Sequence, residues 1–200
     1  MKNHPRRATE RACRLWLWAI PSLFAAFPVG AEEPAGDTGP RQTVVAGKDY
    51  AASGLYRLLF GADYRDIWTT PLSLPVLDIE RFGGGLRPVR IVGHGQSKAL
   101  ALKGGDGHSY TFRPVLKDAS GLLPVELRES KARDFVQDQM SSGHPAGHVM
   151  VPPLLDAVGI LHNVPRLVIM PDTPALGDFR KEFAGTVGDI EEFTGTPGRE

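Results

Sequence analysis

Residues 86–117, LRPVRIVGHGQSKALALKGGDGHSYTFRPVLK, carry the strongest fold constraint in the chain. Short runs of aliphatic and β-branched residues alternate with two glycine-rich breaks, a pattern that predicts three antiparallel strands in a meander. The strands are expected at about Leu86–Val92, Lys98–Lys103 and His108–Val115. The turns between them are Gly93-His94-Gly95-Gln96-Ser97 and Gly104-Gly105-Asp106-Gly107. A glycine turn lets backbone N–H groups approach a phosphate because no Cβ intervenes. Gly93 and Gly95 offer that approach, Gln96 and Ser97 add side-chain donors, and Lys98 supplies charge. On spacing alone the same residues also make an ordinary turn between two antiparallel strands.

The segments on either side set the fold class. Within Tyr50–Trp68, Leu55, Leu58, Leu59 and Ala62 recur at helical spacing, and Arg57, Asp63 and Arg65 are placed to face water. Pro71 ends this helix. Leu72–Ile79 reads as extended, and Pro75 assigns it to a sheet edge. After the meander a helix is expected from about Pro124 to Met140, broken by Ser141–Pro145, and another over Leu154–Gly159 behind Pro152-Pro153. Ile160–Asn163 and Arg166–Met170 read as a hairpin about Val164-Pro165. A last amphipathic helix opens at Pro174, capped by Asp172 or Thr173, with Leu176, Phe179, Phe183, Val187 and Ile190 on one face. Helix, edge strand, meander, helices, strand pair and helix together make an α+β domain.

The first 31 residues read as a signal peptide. Lys2, Arg6, Arg7, Arg11 and Arg14 form a basic start, Leu15–Phe27 an apolar core, and Val29-Gly30-Ala31 a cleavage site before Glu32. The core has 13 residues, short of the roughly 20 that span a bilayer. Residues 32–48 are expected to be a flexible leader rich in Pro, Gly and charge, residues 49–193 the folded domain, and residues 194–200 a linker. Cleavage would remove five of 23 basic residues and one of 23 acidic ones, leaving 18 against 22, a net charge of −4. It would also remove Cys13, the only cysteine, so the mature chain would have no disulfide, thiol nucleophile or thiolate metal site. A mildly acidic chain without a basic patch argues against nucleic acid as partner, and no later stretch is apolar enough to cross a membrane as a helix.

Other chemistries find little support. His144 and His148 have the spacing of a two-histidine metal face, but Pro145 and Gly147 lie between them and no Glu accompanies them, so no metal ligands are assigned. There is no G-x-S-x-G elbow for a nucleophilic serine. Phosphoryl transfer needs a cation over the α/β-phosphates and an acid that orients it. The third strand offers Arg113, with Lys117 just beyond, and the helix after it offers Glu126, Glu129, Asp134 and Asp138. Asp134 and Asp138 lie one turn apart on a shared face. A solvated surface of mixed charge would carry the same residues.

Two resemblances follow from these motifs. G-x-G-Q-S-K-A-L followed by Y-T-F-R-P is similar to the atypical kinases of the HipA type and to the secretory-pathway and spore-coat (CotH-type) kinases. That resemblance implies a small-lobe-like antiparallel sheet with packed helices. It also implies a phosphate loop at Gly93, Gly95, Gln96, Ser97 and Lys98, with Arg113 at the position of the phosphate-binding lysine and Asp134 or Asp138 as the acid. Arginine does not substitute conservatively at a tight phosphate site, so either Lys117 takes the role or nucleotide binding is altered or lost. Residues 56–192, through YRDIWTTPLSLPVLDI, VQDQMSSGHPAG and PRLVIMPDTPALGDFRKEFAG, also resemble a region of large secreted proteins of Gram-negative bacteria. In that family the region precedes a kinase-like catalytic segment, and some members carry a metallophosphoesterase domain or an outer-membrane barrel.

The expectation is therefore a secreted or periplasmic domain like the nucleotide-phosphate-binding small lobe of a kinase. ATP with Mg would be the cofactor of a longer protein, and a downstream lobe would supply the catalytic residues, which are unknown here. The alternative is a non-enzymatic interaction domain of the periplasm or outer membrane, with an envelope protein as partner.

Overall fold

The computed structural model describes residues 38–93 and 98–193. The expected signal peptide, the first part of the leader and the C-terminal linker lie outside the described residues.

The meander forms where the sequence places it, as β3 (Leu86–Val92), β4 (Ala99–Gly104) and β5 (Ser109–Pro114). Leu100 faces Phe112 and Leu102 faces Tyr110 across β4 and β5. The second turn is pinned to the glycine run before β3: Gly105 N–H donates to Gly85 O and Asp106 N–H to Gly83 O, each at 3.0 Å. The meander is one side of a seven-stranded sheet in the order β1-β2-β6-β7-β5-β4-β3. Its other members are β1 (Thr38–Val45), β2 (Pro71–Leu77), β6 (Arg166–Ile169) and β7 (Val187–Glu192). Pairing is antiparallel except between β2 and β6, which meet in parallel at Val76↔Ile169.

Four expectations need correction. Residues 38–45, assigned to a flexible leader, form β1, so β2 is an inner strand and the edge moves out to β1. The helix expected over Tyr50–Trp68 is two short helices, α1 (Gly54–Phe60) and α2 (Arg65–Thr69). They are separated where Gly61 at φ 93° and Asp63 at φ 46° leave the helical region. Residues 160–165 form no strand, and β6 instead takes β7 as its antiparallel partner, with Ile169 opposite Val187. The final helix stops early: a 3-10 turn over Pro174–Phe179 continues into α6 (Arg180–Phe183). Gly185 at φ 71° then ends it, and the chain re-enters the sheet as β7.

The remaining helices are α3 (Lys131–Gln139), α4 (Gly147–Met150) and α5 (Pro152–Ala157). Ser130 caps α3, its hydroxyl accepting from Ala132 N–H at 3.2 Å. The helix therefore begins seven residues later than Pro124, behind the first good capping side chain.

Strand alternation divides the core between the two sheet faces. Leu100, Leu102, Phe112, Val168 and Ile190 point to one face and bury with Leu77, Phe82, Leu86, Leu176 and Phe183. On the opposite face Val115, with Leu167 and Val187 half-buried beside it, packs on Tyr50 and Trp68. Fully burying a side chain such as Phe112 or Leu100 stabilises by roughly 1.5–3 kcal/mol. Trp68 also anchors the break after α3, donating from Nε1 to Gly143 O at 2.8 Å.

Candidate functional site

Beside the start of β4 the structure opens onto a cavity of about 930 Å³. That volume falls within the usual range for small-molecule sites. Lys98, Lys117, Asp134 and Asp138, from four separate sequence positions, all line it. Lys98 immediately precedes β4, Lys117 follows β5, and both acids lie on α3. Of the turn itself, Gly93 has φ 88°, the left-handed region that glycine adopts without strain. His94, Gly95, Gln96 and Ser97 lie outside the described residues.

The charges of the cavity are largely matched. Lys98 Nζ sits 2.8 Å from Glu182 Oε1 on α6, a hydrogen bond that raises the lysine above its ordinary value. Arg133 reaches Asp118 at 3.4 Å and Asp134 at 3.9 Å. Backbone N–H donation from Ser120 is the main reason the Asp118 carboxyl is held below the usual carboxylate range. Lys131 lies 3.6 Å from Asp134 on the same helix. Lys117 is half-buried, and its ammonium has no ion-pair partner among the described residues. Its backbone carbonyl is fixed by Gln137 Nε2 at 2.8 Å, and Gln137 Nε2 also donates to the Tyr50 hydroxyl at 3.0 Å. The cavity is therefore lined by three lysines: Lys98 in an exposed, exchangeable ion pair, and Lys48 and Lys117 without an ion-pair partner among the described residues, Lys117 on a braced backbone.

Of the residues expected in this site, Arg113 is placed elsewhere and Asp138 serves a different partner. Arg113 has its register partner Ala99 on β4 by continuation of the Leu100↔Phe112 pairing, so it emerges from the face opposite Lys98. There its guanidinium pairs with Glu191 of β7. It is not among the residues lining the cavity. Asp138 borders the cavity but serves Arg65, not Arg113: both Arg65 Nη atoms donate to the Asp138 carboxylate at 2.7 Å, and the Tyr56 hydroxyl adds a bond at 3.0 Å. The bonds from Arg65 are the main reason the Asp138 carboxyl lies below its ordinary value.

Arg65 is the residue that sequence reasoning most misplaced. It was assigned to a solvent face, yet it is 0% exposed, under the Tyr56 ring at 5.4 Å. Once the single long helix splits, Arg65 begins a new one with a different facing. Asp189 and Glu191 were missed because residues 187–190 were read as helical. Gly185 and Gly188 were the available signal, since two glycines at that spacing argue against helix continuation.

No cluster of three or more His, Cys, Asp or Glu side chains suited to a metal ion occurs among the described residues. Nor is any helix among them long and apolar enough to cross a membrane. Comparison with family models, with curated proteins and with solved structures finds no match to this chain.

Proposed function

We propose that this domain binds a phosphorylated ligand of the nucleoside di- or triphosphate class in the cavity lined by Lys98 and Lys117. Lys117 and Lys98 supply the positive charge. The observation that carries the reading is the convergence of these two lysines, from either end of the meander, on one cavity of ligand size. Of the two cations that the kinase resemblance offers, Lys117 takes the phosphate role, and Arg113 is occupied by Glu191 on the opposite face. Glu182 holds Lys98 in place and gives it up to a phosphate, whose greater charge competes for the same ammonium. Supporting the kinase-like reading further is the order of elements, a meander followed by helices and then the strand pair β6 and β7. The domain acts as a small-lobe-like binding unit of a secreted or periplasmic protein and performs no transfer by itself. In a longer protein, Mg bound with ATP would come to residues that the described chain does not cluster.

Isothermal titration of the full chain with ADP and with pyrophosphate tests the reading. Binding should appear in the wild type, fall by about tenfold or more in Lys117→Ala, which loses a charged hydrogen bond of about 1.5–3 kcal/mol, and be unaffected by Arg113→Ala. An absence of binding, or binding that survives the Lys98→Ala, Lys117→Ala double substitution, refutes it.

A second reading, an interaction domain, is favoured by one specific observation. Helix α1 buries none of its side chains, and Leu55, Leu58 and Leu59 are 68%, 81% and 67% exposed. Apolar side chains crowded on a helix of this kind mark contact surfaces. If that surface is the whole function, Leu58→Glu abolishes partner capture, and no variant of the cavity changes any binding.

A further inference from the structure

Asp189 stands apart from every other acid described. It lies inside β7 on the sheet face that carries Val187, it is 2% exposed, and neither of its carboxylate oxygens has a hydrogen-bond partner. A buried carboxylate without donors pays the full cost of desolvation. Three charged or titratable groups face it. Arg113 is its register partner on β5, but that guanidinium is committed to Glu191. Glu191, two residues along the same strand, adds a like charge. His148 of α4 brings Nδ1 to 3.8 Å from Oδ1, beyond hydrogen-bond range, and its side chain is 54% exposed. From β6 the register partner is Leu167, which offers no polar atom.

The α4 segment thus meets the sheet over a group that fits there without charge and is poorly served when charged. We infer that Asp189 is a proton-operated latch: neutral, it lets α4 rest against the sheet, and ionised, it drives that contact open to water. Burial pushes the Asp189 carboxyl above its ordinary value, opposed by His148 and Arg113 and reinforced by Glu191. The proton simply moves between solvent and the carboxyl oxygen, with no bond to carbon made or broken. A raised folded-state value means that the closed form is favoured at acidic pH and loses stability as pH rises through the Asp189 titration. His148, already half-exposed in the closed form, lines a smaller cavity of about 210 Å³ with Trp68, Lys117 and His144. Lys117 borders both cavities, so the cavity that His148 lines adjoins the larger site at that residue.

Hydrogen exchange of the full chain, followed by mass spectrometry between pH 5 and pH 8 and corrected for intrinsic rates, tests the latch. Protection of the peptide covering residues 144–151 should fall on going to pH 8, by about tenfold for each unit by which folding displaces the titration. Protection of β4 should stay constant, which separates local opening from global loss of stability. Asp189→Asn, of the same size and uncharged, should keep the segment protected throughout. His148→Gln removes the imidazole that opposes the upward push on Asp189 and should move the opening transition to higher pH. A pH-independent wild type, an Asp189→Asn variant that keeps the wild-type transition, or a transition in His148→Gln that stays put or moves down would each overturn the inference.

Discussion

Removing the Asp138 carboxylate should cost more stability than any other single surface-reaching substitution, because of what it strands. Arg65 cannot shed its proton at accessible pH. Its side chain is 1% exposed, and its Nε has no partner. With Asp138→Ala, the guanidinium would keep Asp63 at 3.8 Å, the Tyr50 carbonyl at 3.5 Å and the Tyr56 ring at 5.4 Å, one distant charge, one hydrogen bond at its limit and one ring face. Breaking a buried ion pair from one side typically costs about 3–5 kcal/mol. For a domain of this size that corresponds to a fall in Tm of roughly 6–20 °C. Urea unfolding monitored by Trp68 fluorescence measures the loss. The double substitution Arg65→Met, Asp138→Leu removes both charges and should recover most of it, since apolar replacements of buried pairs are often close to neutral. The Asp138 carboxyl is held below its ordinary value in the fold. Its contribution is therefore present above the unfolded carboxylate value and is lost as pH falls through the lower folded one. A loss in Asp138→Ala below about 1 kcal/mol, the range of an exposed pair, would refute the reasoning. So would a double variant as unstable as the single one.

Backbone packing of the two glycine runs gives another expectation. A Cβ on Gly105 would lie 2.2 Å from Gly84 O, so Gly105→Ala should cost about 1–3 kcal/mol in urea unfolding as overpacking. Gly107 has open space around it but φ 90°, and Gly107→Ala should cost about 1–2 kcal/mol through its backbone alone. At the start of α3, Ser130→Ala removes the cap and should lower stability by about 0.5–2 kcal/mol, with a matching loss of helical circular dichroism on warming.

The meander was legible because its signals are local: alternation, β-branched residues and glycine punctuation all lie within the 32 residues that fold together. The α+β class and the capping role of Thr173, whose hydroxyl accepts from Ala175 N–H at 3.4 Å, were legible for the same reason. What the sequence hid depends on partners distant along the chain. Strand β1 looks like a linker until Val44 finds Leu72 and Val45 finds Pro71. Pro75 suggests an edge because nothing in its neighbourhood announces a strand outside it. In the candidate site, Lys98, Lys117, Asp134 and Asp138 were all recognisable as chemistry-bearing residues, and they do share a cavity. Their pairing was not readable. Arg65 and Glu191 take the partners that spacing had assigned to each other, because which face a side chain leaves from is set by register and by where a helix breaks.

The single parallel contact in the sheet also bears on how the molecule comes apart. Val76 and Ile169 are 93 positions apart in the chain, and theirs is the one register pair joining the β1–β2 ladder to the other five strands. Those five strands are joined by antiparallel ladders of four to six register pairs each. A seam that thin, closed over so long a loop, is the natural boundary between cooperative units. The β1–β2 pair should dock late in folding, its single ladder bridge closing as Leu77 completes the core it shares with Val168 and Phe112. Anything that grips that pair from outside would then tune the lifetime of the joint.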